Sequence, residues 1–173
     1  EKAAEQGDAD AQCTLGFMYQ NGRGVKQSYE KAVEWYAKAA KQGDADAQCS
    51  LGFMYDDGHG VKQSYEKAVE WYGKAAKQGV TEAQDNLGLM YESGLGVEQS
   101  DSKAAECYEK AADAGHAQAQ FNLGVMHFEG FGVKQNYLKA KAAWEKAAAQ
   151  EHADAQYNLG SLYSEGHGVD QNY

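Results

Sequence analysis

Three cysteines, five histidines, a recurring glycine-rich turn and several paired carboxylates are the residues of this chain that invite chemistry. Thiols could form disulfides or hold metal, imidazoles could ligate or move protons, a glycine-rich loop could cradle phosphate, and paired acids could share a proton. Spacing argues against most of these. Cys13 and Cys49 stand 36 residues apart, as do His116 and His152, and His59 and His167 lie three such intervals apart. A shared interval marks corresponding places in successive structural units, and helices of neighbouring units sit about 8–10 Å apart. That gap exceeds easy disulfide reach and is too wide for one ion, whose ligands stand about 2 Å from it.

The segment Gly22-Arg23-Gly24-Val25 has no strand before it and no Gly-Lys-Ser/Thr after it, so it reads as a helix connector. Asp56 and Asp57 are adjacent and point in different directions, with no proton acceptor placed opposite them. No nucleophile has a local partner. The expectation is a chain without catalytic residues, metal or cofactor. His59, His116, His152 and His167 are expected as helix-start and loop residues, and His127 as a substitute for a core tyrosine.

The elements that carry these residues are set by the same interval. Residues 8–43, 44–79, 80–115, 116–151 and the incomplete 152–173 superimpose Leu15, Leu51, Leu87, Leu123 and Leu159, each followed by glycine. The first two of these repeats differ at only five positions. A fixed period in the range of about 20–50 residues reads as a solenoid, in which each unit buries its apolar face against its neighbours. A single domain spanning 1–173 is expected, with 1–7 as the tail of a preceding repeat. The chain starts at Glu1 without methionine and stops in mid-repeat, so a fragment of a longer protein is expected.

Within a repeat, Ala47, Gln48, Leu51, Met54 and Tyr55 recur at spacings of three and four, the signature of one face of an amphipathic helix. This helix A ends at Gly58, where a left-handed terminal residue is tolerated. Helix B opens at Ser64, with Ser28, Ser100 and Asn136 in matching places. Its buried face is expected to be Tyr65, Ala68, Val69, Tyr72, Ala75 and Ala76. Gly52, Ala68 and Ala75 let the two backbones approach while tyrosine and leucine fill the space between. The fold class expected is all-α, a right-handed α/α superhelix of 36-residue helix-turn-helix repeats.

The strings A-x-A-Q-x-x-L-G-x-M-Y-x-x-G-x-G-V and Y-E-K-A-V-E-W-Y-x-K-A-A-x-Q-G recur in order along the whole chain. They strongly resemble the Sel-1-like repeat family, relatives of the tetratricopeptide repeats. His127 stands where the pattern has tyrosine, Cys107 where it has tryptophan, Glu151 at the closing glycine, and Asp101 at the tyrosine that opens helix B. The resemblance implies an adaptor that assembles protein complexes. A cysteine-rich bacterial branch of the family pairs cysteines within each repeat, and some of its members have been linked to β-lactam hydrolysis. This chain lacks those pairs, so the hydrolase is kept as the rival reading. A third reading is a structural solenoid that stacks head to tail through its end helices.

The net charge of −10 argues against nucleic acid or an anionic membrane surface as partner, and no run is apolar enough to span a bilayer. The five A segments (8–21, 44–57, 80–93, 116–129, 152–165) hold 12 of the 26 acids and no lysine or arginine. Asp8, Asp10, Asp44, Asp46, Glu82 and Asp154 lie in first turns, where the helix dipole favours anions. Asp56, Asp57, Glu92, Glu129 and Glu165 lie at the unfavourable ends. A wheel centred on Leu51 puts Asp46, Cys49, Phe53 and Asp56 on the opposite side. By analogy with tetratricopeptide stacks these positions form a ladder along a concave groove.

The expected partner is therefore a protein or peptide with basic and apolar side chains. The candidate contacts are Asp46, Phe53, Asp56, Asp85, Leu89, Glu92, Phe121, Val125, Phe128 and Tyr157. For Phe53 and Leu89, with Phe17 in the matching place, packing between adjacent A helices is the competing and favoured reading. The position shared by Cys13, Cys49, Asp85, Phe121 and Tyr157 changes from thiol to acid to aromatic. That variation favours a binding role there over a shared packing role. Free thiols point to a reducing compartment such as the cytoplasm, with the periplasm or another exported location open because of the missing ends.

Overall fold

The computed structural model describes residues 2–166, and His167 lies outside them. Among the described residues there are ten helices and no strand. Helix α1 is Lys2–Glu5; the A helices are α2 (Ala9–Asn21), α4 (Ala45–Asp57), α6 (Thr81–Ser93), α8 (Ala117–Glu129) and α10 (Ala153–Glu165); the B helices are α3 (Tyr29–Lys41), α5 (Tyr65–Lys77), α7 (Asp101–Asp113) and α9 (Tyr137–Ala148). The architecture is an all-helical solenoid of 36-residue helical pairs.

Local chemistry sets the boundaries. Ser28, Ser64, Ser100 and Asn136 each accept the amide of a lysine three residues on (Lys31, Lys67, Lys103, Lys139), satisfying one of the open donors of a helix start. Asp8 and Asp44 do the same for Ala11 and Ala47 at 2.7 Å. Each A helix with a described cap ends on glycine. Gly58, at φ +73°, donates its amide to the Met54 carbonyl. Two residues on, Gly60 lies against the backbone of Tyr29 and Glu30, where no Cβ would fit. The first glycine of the G-x-G-V turn thus ends a helix, and the second lets the turn touch the start of the preceding B helix.

Packing within a pair depends on a missing side chain. A Cβ on Gly52 would stand 2.6 Å from the ring of Tyr72, and Gly16 meets Tyr36, Gly88 meets Tyr108 and Gly124 meets Trp144 in the same way. The ring lies against the glycine of the A helix and is buried. Burial of a side chain of this size contributes about 1.5–3 kcal/mol.

The helices gather into two compact units, Glu1–Ala83 with Leu95–Glu98, and Gln84–Gly94 with Gln99–Tyr173. The first is built around Tyr36, Leu51 and Met54 with the alanines of α3 and α4. The second has one cluster around Tyr108 and Met126 and another around Trp144 and Leu162. Buried glutamines tie consecutive pairs together in both. Gln48 donates to the Ala40 carbonyl at 3.1 Å and accepts from Gln78 at 2.9 Å, and Gln120 repeats this with Ala112 and Gln150.

Candidate partner-binding surface

Three rows of A-helix positions carry the candidate contacts, and the structure gives each row a different surrounding. In the row of Gln20, Asp56, Glu92 and Phe128, the side chain meets the buried ring of its own B helix. Tyr36 donates to Gln20 at 2.7 Å, Tyr72 to Asp56 at 3.4 Å and Tyr108 to Glu92 at 2.7 Å. Where helix B carries Trp144 in place of tyrosine, the A helix carries Phe128, 5.4 Å away between ring centroids. Polarity at this row therefore follows the hydroxyl it must accept. Burial and the neighbouring Asp57 raise the carboxyl pKa of Asp56 above its ordinary value, and the Tyr72 hydroxyl acts the other way.

In the second row, Cys13, Cys49, Asp85 and Phe121 stand where the next A helix starts, and Tyr157 holds the corresponding place on α10, the last helix described. Cys13 lies beside Asp44, whose carboxylate adds to the rise of the thiol pKa. Asp85 faces His116 with 4.0 Å between its carboxylate and Nδ1, and accepts from Asn122 at 3.2 Å. Phe121 stacks on His152 with centroids 4.8 Å apart. Cys13, Asp85 and Phe121 are thus each engaged by the residue that starts the next A helix, a carboxylate beside the thiol and an imidazole beside both the acid and the phenyl ring. The expectation of an accessible carboxylate at Asp85 is not met, because only 5% of the residue is exposed. Tyr157, at 75%, is the most exposed large side chain of the row.

His116 and His152 are helix caps, each accepting the amide three residues on through Nδ1. That use of Nδ1 was not legible from spacing, since histidine is not among the usual cap residues. Burial pushes the thiol of Cys13 up to about 12 and that of Cys49 to about 11, with nearby carboxylates adding to both. The residue facing Cys49 by position is Val80, which offers no side-chain acceptor.

The third row is the one left open. Phe17 and Phe53 are 44% and 39% exposed in the first unit, and Leu89 is 42% exposed in the second. Val125 is half-buried and packs, with Phe121 and Phe128, on the cluster around Trp144. The guanidinium of Arg23 lies over the Phe17 ring at 5.2 Å, and His59 stands 6.1 Å from the Phe53 ring while stacking on Tyr29 at 4.7 Å. Asp46 is exposed in the first turn of α4. Asp46 and Phe53 thus share the outer side of one helix, whereas Asp56 and Phe128 are half-buried, and Glu92, although exposed, accepts the Tyr108 hydroxyl.

All three cysteines are free and half-buried, and among the described residues no group of three or more His, Cys, Asp or Glu could hold a metal ion. No helix among the described residues is long and apolar enough to cross a membrane. Comparison with known families matches the Sel1 repeat at residues 1–8, 9–44, 45–80, 81–116, 117–152 and 153–173. The chain belongs to the Sel1 repeat family.

Sel1 repeats are generally protein-interaction scaffolds, and the fold is typically non-catalytic. A comparison with curated proteins gives no match. Among solved structures, a protective antigen of uropathogenic Escherichia coli strains with an SLR fold is 39% identical, with a TM-score of 0.95 over 99% of this chain and 37% of the antigen. A Sel1 repeat protein from Oxalobacter formigenes is 33% identical with a TM-score of 0.91, over 96% of this chain and 66% of that one. Cysteine-rich protein B of Helicobacter pylori is 27% identical with a TM-score of 0.61, over 76% of this chain and 94% of that one. The present Sel1 chain thus spans under two thirds of the length of the first two relatives.

Proposed function

We propose that this Sel1 protein is a non-catalytic adaptor whose A helices bind a protein segment bearing basic and apolar side chains. The observation that carries this reading is the exposure of Phe17 and Phe53 on helices α2 and α4, which contain no lysine or arginine. An apolar row edged by Asp10, Asp46 and Asp57 complements a segment in which Leu or Phe alternates with Lys or Arg. Arg23 over Phe17 is an instance, within the chain, of the cation-on-ring contact that an incoming arginine would make. In the second unit, Leu89 and Tyr157 offer apolar contact on helices equally free of lysine and arginine, beside Glu129 and Asp154. Asp56, Asp85, Glu92, Phe121, Val125 and Phe128 then act as supports of the surface, through the interior contacts described above.

The test is a titration of fluorescently labelled peptides of alternating Lys/Arg and Leu/Phe against the full chain, read by anisotropy. Binding should weaken about ten-fold or more in Phe17→Ala/Phe53→Ala, and should fall as salt rises from low to physiological strength. An acidic control peptide that binds equally well, or a double variant with unchanged affinity, would remove the A-helix face from consideration.

A further inference from the structure

The fourth repeat departs from the others where its A helix meets the preceding B helix. In the first unit, Tyr55 packs with Val33 and Val61 on the core around Tyr36, and the Lys67 ammonium lies 4.9 Å from its ring centroid. Tyr19 and Tyr91 carry Lys31 and Lys103 over their rings at 5.2 and 5.4 Å. At the places of Val33, Tyr55, Val61 and Lys67 the second unit has Ala105, His127, Val133 and Lys139. Two side chains are smaller there, while the lysine and the valine of the turn remain.

The space opened is a cleft of about 400 Å³ floored by Ala105, Leu123 and Val133, with His127 and Lys139 in its wall. A recess of about 190 Å³ shares Leu123, His127, Lys139 and Glu109 with it. The larger volume alone falls in the range of small-ligand sites, about 300–1,000 Å³. His127 is poorly suited to a purely structural role. Its Nδ1 is buried with no hydrogen-bond partner, a cost that the tyrosines of the other repeats do not carry. Burial and the Lys139 charge lower the His127 pKa, with Glu109 and the Lys134 backbone opposing, so the imidazole is neutral at pH 7 and can lie flat against another ring.

We propose that this cleft binds a phenol ring of the tyrosine type. The ring enters beside His127, whose imidazole is shorter than the tyrosine at this place in the other repeats, rests on Ala105, Leu123 and Val133, and lies under the Lys139 ammonium. Glu106 and Glu109 at the rim are carboxylates able to accept the phenol hydroxyl. This site is made by the B-helix side of α8 and is independent of the exposed A-helix row.

The test is a methyl NMR titration of the full chain, following Leu123 and Val133, with N-acetyl-tyrosinamide, p-cresol and N-acetyl-leucinamide as probes. Saturable shifts with the two phenols, at least ten-fold weaker with the leucine amide, are expected. Tighter binding of the tyrosinamide marks a peptide-borne ring as the ligand, and tighter binding of p-cresol marks a free phenol. The variant Ala105→Val/His127→Tyr fills the cleft with the chain's own side chains and should abolish the shifts while its melting temperature rises, which shows that it folds. Lys139→Met should weaken binding by about two- to five-fold. Equal response to the leucine amide, no saturable shift with either phenol, or unchanged binding in the filled variant overturns the proposal.

Discussion

Tyr108, whose ring is fully buried, donates a 2.7 Å hydrogen bond from its hydroxyl to the carboxylate of Glu92, 16 residues earlier on the facing helix. Gln20 and Asp56 take the hydroxyls of Tyr36 and Tyr72 in the same way, and Phe128 replaces them where Trp144 brings no hydroxyl. If this pairing governs the row, Tyr108→Phe and Glu92→Ala should be coupled by about 1 kcal/mol in a double-mutant cycle from urea unfolding. Glu92→Gln should retain most of the stability, because Gln20 already plays that part. Strict additivity of the two changes would count against the pairing.

Two glycines of one helical pair should respond in opposite directions. Gly52→Ala drives a methyl into the Tyr72 ring and should cost about 1–3 kcal/mol. Gly73→Ala, in mid-helix with nothing within 4 Å of the added methyl, should stabilise by about 0.5–1 kcal/mol through helix propensity alone. Thermal unfolding of the two single variants distinguishes them, and a stable Gly52→Ala protein would mean that the Tyr72 ring can move aside.

Asp85 is a buried carboxyl whose pKa is raised by desolvation, against the lowering effects of His116 and Asn122. The folded state therefore holds this proton to higher pH than the unfolded state. The stability contributed is fully present below the ordinary carboxylate pKa and is lost as pH rises through the folded value. Asp85→Asn removes the buried charge and should raise the melting temperature at pH 7, with the gain shrinking towards pH 3. A gain that is the same at both pH values would point to a cause other than the charge.

The thiols of Cys13 and Cys49, held at about 12 and 11, should be sluggish nucleophiles in the folded chain. Their thiolate populations at pH 8 lie on the order of 1,000- and 100-fold below that of a cysteine at 9.0. The higher intrinsic reactivity of a more basic thiolate recovers part of this, leaving alkylation about ten-fold or more slower than for a free thiol. Peptide mapping after iodoacetamide treatment of native and unfolded protein measures it. Labelling at equal rates in both states would show that these sites open readily.

Much of the fold was legible in the residues. The 36-residue interval, the apolar face through Leu51 and Met54, the caps at Ser28, Ser64, Ser100 and Asn136 and the terminating Gly58 are local features, each set by helix geometry and hydrogen-bonding needs within a few residues. The wheel also places Phe53 opposite Leu51, but it left packing between adjacent A helices open for Phe17, Phe53 and Leu89, whose exposure of 44%, 39% and 42% is a tertiary result.

What tertiary structure decided was which outward-looking positions are free. A wheel cannot see the neighbouring helix, so Asp85 read as an exposed acid, whereas the start of the next A helix covers it and supplies His116 as its partner. Glu92 and Asp56 read as part of the same acidic edge, and the reach of a tyrosine across the helical pair engages each of them with a hydroxyl, half-buried at Asp56 and exposed at Glu92. The cleft at His127 is equally a tertiary property. Ala105 and His127 are ordinary substitutions taken singly, and only the packing of α7 on α8 brings the two smaller side chains to one cleft. Periodicity along the chain fixes which faces turn inward, but contact between residues many positions apart depends on side-chain lengths that no local pattern encodes.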